Sequence, residues 1–407
     1  MMQKWMILPI SVAMAVSLGS GATPGSAQTL DELKAQIQEM SKRLQELETK
    51  QDQLEKKTDE TSVDSRTVIS GKKGVKLTVS GQVNRGVLFA DNGDDSDIFY
   101  VDNDNSSTRV RFIGIGELTD DITVGSQIEV QFESNSTAAI RIDQDSSAGP
   151  NNFTERKLEL YVDSGRFGRL WLGQGDTASN GTSEVDLSGT NVINYSGIAD
   201  MAGGIAFSDD NVLGPRINQV FSNFDGLSRD DRIRYDTPSF SGVKGSVSAI
   251  EGGAADAAIR FAGEISGTKV VAAAAFANAN SKDANDFTQY NGSVSVLTPI
   301  GISVTAAAGT RDLDRVSGDD PIFYYGKLGY TFDVVEFGAT SVGIDYAVVD
   351  DLEQEGDEAR SYGIFAVQRY DKIGADFYIG ARNHELDRPS SNFDDVVAIL
   401  VGAKVRF

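Results

Sequence analysis

From Val75 to Phe407 the chain alternates apolar and hydrophilic residues with a period of two, segment after segment. In 75–89, Val75, Leu77, Val79, Val83, Val87 and Phe89 share one face, while Lys76, Thr78, Ser80, Gln82 and Asn84 share the other. The pattern recurs with Val124, Ile128, Val130 and Phe132 against Gln127, Glu129, Gln131 and Glu133, and with Tyr324, Leu328, Tyr330 and Phe332 against Lys327 and Thr331. It is the pattern of a strand with one apolar and one wet face, and about sixteen segments carry it. They are 75–89, 108–117, 122–134, 153–163, 168–175, 229–237, 242–251, 256–265, 268–277, 287–298, 301–310, 322–332, 337–349, 360–370, 372–384 and 395–407. Short turns at 119–121, 164–167, 238–241, 266–267, 299–300, 333–336 and 371 alternate with mostly long loops at 90–107, 135–152, 176–228, 278–286, 311–321, 350–359 and 385–394. Only the connection near 252–255 is short where a long one is due. A soluble sandwich has no reason to put its short turns at one end, whereas an outer-membrane barrel does. The fold class predicted is all-β: a 16-stranded antiparallel transmembrane β-barrel over 75–407, preceded by an N-terminal coiled-coil helix.

Charge supplies an independent check. The chain holds 37 basic and 60 acidic side chains, for a formal charge of −23. The seven long loops carry 30 of the acids and 6 of the bases; the strands and turns of 74–407 keep 20 acids and 21 bases. A wall facing lipid must avoid charge, at about 2–4 kcal/mol for each basic side chain at the bilayer midplane. That loops are hydrophilic would explain their polarity but not their common sign. So acidic a chain has no general affinity for nucleic acid.

The first 27 residues combine Lys4, an apolar run from Trp5 to Leu18 and a Gly25-Ser26-Ala27 cleavage site, as in a secretory signal peptide. Over 28–66 the period changes. Leu30, Leu33, Ile37, Met40, Leu44, Leu47 and Leu54 form a heptad seam interrupted by Gln51, which predicts a self-associating coiled coil joined to the barrel by a linker at 67–74. Thirty-two helical residues would reach roughly 48 Å at 1.5 Å each.

With no cysteine and one histidine, His384, disulfides, Cys/His metal sites, Cys nucleophiles and two-histidine mechanisms are excluded. No catalytic set can be assembled, and a non-enzymatic role is expected. His384, beside Glu385 near a strand end, is expected to be exposed rather than a metal ligand. The acidic runs Asp91–Asp104 and Asp350–Glu358 read as solvated loops, with weak Ca²⁺ or Mg²⁺ binding that bridges lipopolysaccharide phosphates as the alternative. No cofactor is expected otherwise.

Several segments resemble the general diffusion porins of Gram-negative outer membranes. Ser107-Thr108-Arg109-Val110-Arg111-Phe112, Gly116-Glu117, Thr119-Asp120-Asp121 and the run from Val124 to Glu133 look like their second and third strands. Arg156 to Gly165 with Phe167-Gly168 and Leu170-Trp171-Leu172-Gly173 resembles the hairpin before their inward-folded loop. Arg232-Ile233-Arg234-Tyr235-Asp236-Thr237-Pro238 is similar to the strand after it. A terminal Phe407 on an amphipathic strand resembles the signal read by the barrel assembly machinery. Some porin families also carry a coiled-coil extension.

The resemblance implies a homotrimeric channel for passive diffusion of small hydrophilic solutes and ions, narrowed by an inward-folded loop at about 176–228. That loop would place Glu184, Asp186 and Asp200 opposite a basic wall of Arg109, Arg156, Arg232 and Arg234. Asp236 stands where the family has a further arginine. Alternation puts Arg156 on the same face as Leu158, Leu160 and Val162, which conflicts with a place in the lumen. A second reading is structural: an outer-membrane barrel tethering the envelope to peptidoglycan through its periplasmic helix.

Overall fold

The computed structural model describes residues 67–69, 74–144, 153–279, 286–313 and 318–407. The signal peptide and the coiled-coil seam of 28–66 lie outside the described residues. Sixteen strands form the wall: β1 (Val75–Asp91), β2 (Arg109–Glu117), β3 (Ile122–Phe132), β4 (Phe153–Ser164), β5 (Gly168–Asp176), β6 (Arg229–Asp236), β7 (Val243–Ile250), β8 (Ala255–Ile265), β9 (Thr268–Asn278), β10 (Thr288–Leu297), β11 (Ile302–Asp312), β12 (Ile322–Val335), β13 (Gly338–Asp350), β14 (Glu358–Tyr370), β15 (Ala375–Arg388) and β16 (Val396–Arg406). Each coincides, within a few residues, with a segment that alternates in the sequence. Neighbours pair antiparallel throughout, and β1 closes the barrel by pairing with β2 along one edge and with β16, from Gln82↔Arg406 to Asp91↔Val397, along the other.

Closure at that seam depends on a close approach. Gly81 and Phe407 exchange backbone hydrogen bonds of 2.9 and 3.0 Å. The Phe407 ring lies over Gly81, where an added Cβ would come within 2.5 Å of it. The short turns follow ordinary hairpin rules: Ser266 and Gly267 both have positive φ, as a two-residue type I′ connection requires.

The outer face is apolar. Leu158, Leu160, Ile233, Ile259, Ile344 and Ile364 are each more than half exposed. Burying such a side chain stabilises by about 1.5–3 kcal/mol, which here lipid must supply. Aromatic residues ring both ends, with Phe167, Phe240, Phe337 and Tyr370 at the short turns and Tyr290, Tyr324, Tyr346 and Tyr362 towards the loops. These are the interfacial girdles of a membrane barrel.

The inner face departs from the uniformly hydrophilic lining that the alternation suggests. Leu88, Phe323, Tyr325, Phe365, Val396 and Leu400 point inward and are buried. They are covered by the long connection after β5, which has more structure than its sequence announces: a hairpin (Ala206–Asp209 with Val212–Arg216) and one helical turn at Ile217–Val220. Its Ile193, Met201, Ile205, Phe207, Ile217 and Phe224 pack on that inner wall as one apolar core. Dry packing therefore fills one side of the barrel, and the water path is displaced towards β2–β6. The predicted loop 90–107 is also partly ordered, since Ser96–Asp102 pairs back on β1. His384 is fully buried under the loop, edge-on to Phe221 at 5.5 Å, not exposed as expected, because its inward strand position lies beneath the loop core.

Candidate pore constriction

The loop is held to the wall by side chains that alternation turns inward. Ser293 and Ser295 of β10 accept the backbone N–H groups of Val185 and Leu187 at 3.1 and 2.9 Å, and Asn291 donates to the Thr182 and Ser183 hydroxyls. Thr331 of β12 donates to the Ser188 carbonyl at 3.1 Å. Lys327 of β12 reaches Asp186 at 2.7 Å and the Asn194 carbonyl at 2.9 Å, with both charged side chains almost fully buried. This stitching sets the height at which the loop crosses the lumen.

At that height a polar cavity of about 500 Å³ brings together Asp104, Glu129, Asp176, Glu184, Asp200 and Asp225 with Arg109, Arg111, Arg156, Lys157 and Arg229. The bases all come from the wall strands β2, β4 and β6. Glu129 of β3 is gripped by Arg111 at 2.6 Å, Arg156 at 2.8 Å and Arg109 at 3.5 Å, so three guanidiniums share one carboxylate. Asp176 holds Lys157 and, at 3.9 Å, Arg229. Five bases against two acids leave this side with an excess of three positive charges.

The loop side is the reverse. Asp225 accepts the N–H groups of Gly181 and Ser183 at 2.6 and 2.8 Å; Glu184 accepts from Asn223 at 3.0 Å, and Asp200 from the Tyr195 hydroxyl. Asp104 joins them from the segment after β1. These donors are neutral, so four carboxylates face the basic wall with no cationic side chain among the described residues bonded to them. Crowding by protein atoms raises their pKa values. Burial pushes the Asp200 carboxyl up to about 6, with the Tyr195 hydroxyl opposing the rise and the Glu133 charge adding to it. Glu184 is raised well above the usual carboxylate range by burial and then by the charges of Asp225 and Asp200, and Asp104 by burial and then by Asp200.

Arg109, Arg156, Glu184 and Asp200, expected at the constriction, are thus placed together. Arg156 reaches the lumen through a β-bulge: Glu129 pairs with Lys157 and Val130 with Glu155, leaving Arg156 as the extra residue. The bulge turns Arg156 and Lys157 inward while Leu158, Leu160 and Val162 keep facing out. Asp186 is not placed on the water path: it is 3% exposed and faces Lys327 in the wall. Arg232 is also removed from the lumen, 2% exposed and paired with Glu159 under Trp171. Arg234 lies below the constriction, donating to Asp236 at 2.8 Å and to the carbonyls of Asp176 and Thr177. Asp236 itself is enclosed by Arg234, Lys244 and the Trp171 indole.

Arg111, Lys157, Arg229, Asp104, Tyr195 and Asp225 were not anticipated from sequence. Arg111 carried a usable signal, since it shares the Arg109 face two positions on. In the acidic outer run, Asp357 and Glu353 are held by Arg388 and Glu358 by Arg360. Among the described residues no group of three or more His, Asp or Glu side chains is arranged to hold a metal ion.

A closed sixteen-stranded barrel with an apolar exterior, a polar lumen and a loop folded across it is the architecture of an outer-membrane diffusion channel. The model of the Gram-negative porin family matches residues 15–388, and the chain belongs to that family. It is an outer-membrane porin, a water-filled path for passive diffusion of small hydrophilic solutes and ions. Among solved structures it is similar to an anion-selective porin from Comamonas acidovorans, with TM-score 0.59 at 13% identity over 82% of this chain and 100% of that one. It is also similar to the outer membrane channel DcaP of Acinetobacter baumannii, at 0.54 and 15% over 83% and 99%. The trimer form of OmpT from Vibrio cholerae matches at 0.54 and 12% over 82% and 100%. At these identities the likeness is one of fold. No curated protein matches the chain in sequence.

Proposed function

We propose that this porin selects solutes by a transverse field at an off-axis eyelet, with Asp104, Glu184, Asp200 and Asp225 facing Arg109, Arg111, Arg156, Lys157 and Arg229. The observation that carries this reading is the separation of sign across one 500 Å³ cavity. A small polar or ionised solute aligns its charges with the two walls, while an apolar solute must strip their hydration and gains nothing in return. Asp186 is a strut of the eyelet rather than part of its lining. Reversal potentials across a salt gradient test the assignment. Asp200→Asn should shift permeability towards anions at neutral pH and Arg156→Gln towards cations; variants that leave the reversal potential unmoved would overturn it.

The assembly reading is a homotrimer, supported by the exposed apolar outer face and by the fold shared with an outer membrane protein described in a trimer form. The coiled coil at 28–66 is assigned to the periplasm because β1 begins, and β16 ends, at the short-turn end of the barrel. There it can carry the barrel towards peptidoglycan, a structural role alongside conduction. Phe407, fixed at the closing seam, is the residue for the assembly machinery to read, and outer-membrane lipid with lipopolysaccharide surrounds the apolar belt.

A further inference from the structure

We propose that the channel rectifies, passing more ionic current when the extracellular side is positive than when it is negative, because its fixed charge changes sign along the pore axis. The inference rests on the open-channel reading above.

The outer end is acidic. Loops 90–107 and 350–359 hold six acids each and no base, and Asp94, Asp95, Asp97, Glu355, Asp387 and Asp394 are exposed there. The lumen below the eyelet has the opposite sign. Asp376 of β15 meets Arg406 at 2.8 Å, Lys404 at 3.3 Å and Arg369 at 3.7 Å. Asp236 of β6 meets Arg234 at 2.8 Å and Lys244 at 3.3 Å, and Arg260 pairs in register with Lys244. Three bases to one acid give the Asp376 cluster an excess of two positive charges, and Arg234 with Lys244 against Asp236 give the other an excess of one. The carboxylates are almost fully buried, whereas Lys244, Arg369 and Arg406 are 41–43% exposed, so the basic groups are what an ion meets.

An acidic mouth enriches cations and a basic lower lumen enriches anions. With the outside positive, cations enter through the zone that attracts them and anions climb through theirs, so both zones fill and conductance rises. With the polarity reversed, each ion is drawn out of the zone that holds it and resupplied through the one that repels it, so the junction is depleted. The sign change spans the length of the barrel, well beyond the Debye length of about 10 Å at 0.1 M salt, and screening at about 3 Å in 1 M salt should erase its effect.

The test is the current–voltage curve of the full chain in planar bilayers. Orientation is assigned with a Glu355→Cys variant labelled from one chamber by an impermeant thiol reagent, since the chain has no other cysteine. The expected current ratio at opposite voltages is roughly twofold in 0.1 M KCl, larger with the extracellular chamber positive, and near one in 1 M KCl. Arg369→Gln with Arg406→Gln leaves Lys404 paired to Asp376 and the Asp236 cluster intact, and should lower the low-salt ratio while conductance at 1 M holds. Asp95→Asn with Glu355→Gln, at the other end, should lower the ratio independently. A symmetric curve at 0.1 M, a ratio of opposite sense, or a ratio unmoved in both variants overturns the proposal. Absence of any conductance would instead remove the open channel on which it rests.

Discussion

The Asp186–Lys327 pair separates a strut from a pore-lining charge. Lys327 is 0% and Asp186 3% exposed, and their 2.7 Å contact joins the inward loop to β12 at the point where the loop turns across the lumen. Breaking a buried ion pair from one side leaves the other charge without compensation, at about 3–5 kcal/mol, whereas replacing both partners by apolar groups of similar volume is often nearly neutral. Asp186→Leu and Lys327→Met should therefore each destabilise by about that amount, and the two combined by clearly less than the sum of the singles. Urea unfolding of protein refolded into lipid vesicles measures the cycle. Single-channel recording of Asp186→Asn should show a larger, noisier conductance as the loop loosens. Single substitutions costing under about 1 kcal/mol, or costs that simply add, would refute the strut. So would an Asp186→Asn channel with a shifted reversal potential and an otherwise unchanged conductance, which would mean that Asp186 faces the water path.

The raised carboxyl of Asp200 makes selectivity depend on pH. It is ionised above about 6 and neutral below, so cation-over-anion permeability should fall as pH drops from 8 to 5, and Asp200→Asn should flatten that response. At the closing seam, Gly81→Val forces the Phe407 ring aside; the expected loss is about 1–3 kcal/mol, read as less heat-modifiable folded species on gels. Replacing Arg111 by Gln leaves Glu129 with two of its three partners, and should weaken anion permeation without unfolding the barrel.

The wall was legible in the sequence because a lipid-facing strand must repeat every two residues, and nothing else in 75–407 competes with that period. Arg109, Arg156, Glu184 and Asp200 were legible through resemblance, but the place of Arg156 was not, because one bulged residue shifts the face of the side chains beside it without marking the sequence. Asp186 and Arg232 were misplaced for a shared reason. A charge in an inward position reads as wet, yet the partners that take it from the water, Lys327 and Glu159, lie far along the chain. The loop core was missed because Ile193, Met201, Ile205, Phe207 and Ile217 follow no period; their only signal is that a loop this long carries so many large apolar residues. The matching signal on the wall is Leu88, Phe365 and Leu400 in positions that should be polar, and it also explains why His384 is buried.

On the proposed reading, ions cross this barrel through an eyelet with a basic wall and an acidic loop. Reversal potentials of Asp200→Asn and Arg156→Gln channels, recorded against the parent under one salt gradient, test it most directly. Shifts of opposite sign are expected, towards anions for the first and towards cations for the second; shifts of the same sign, or none, would refute the eyelet.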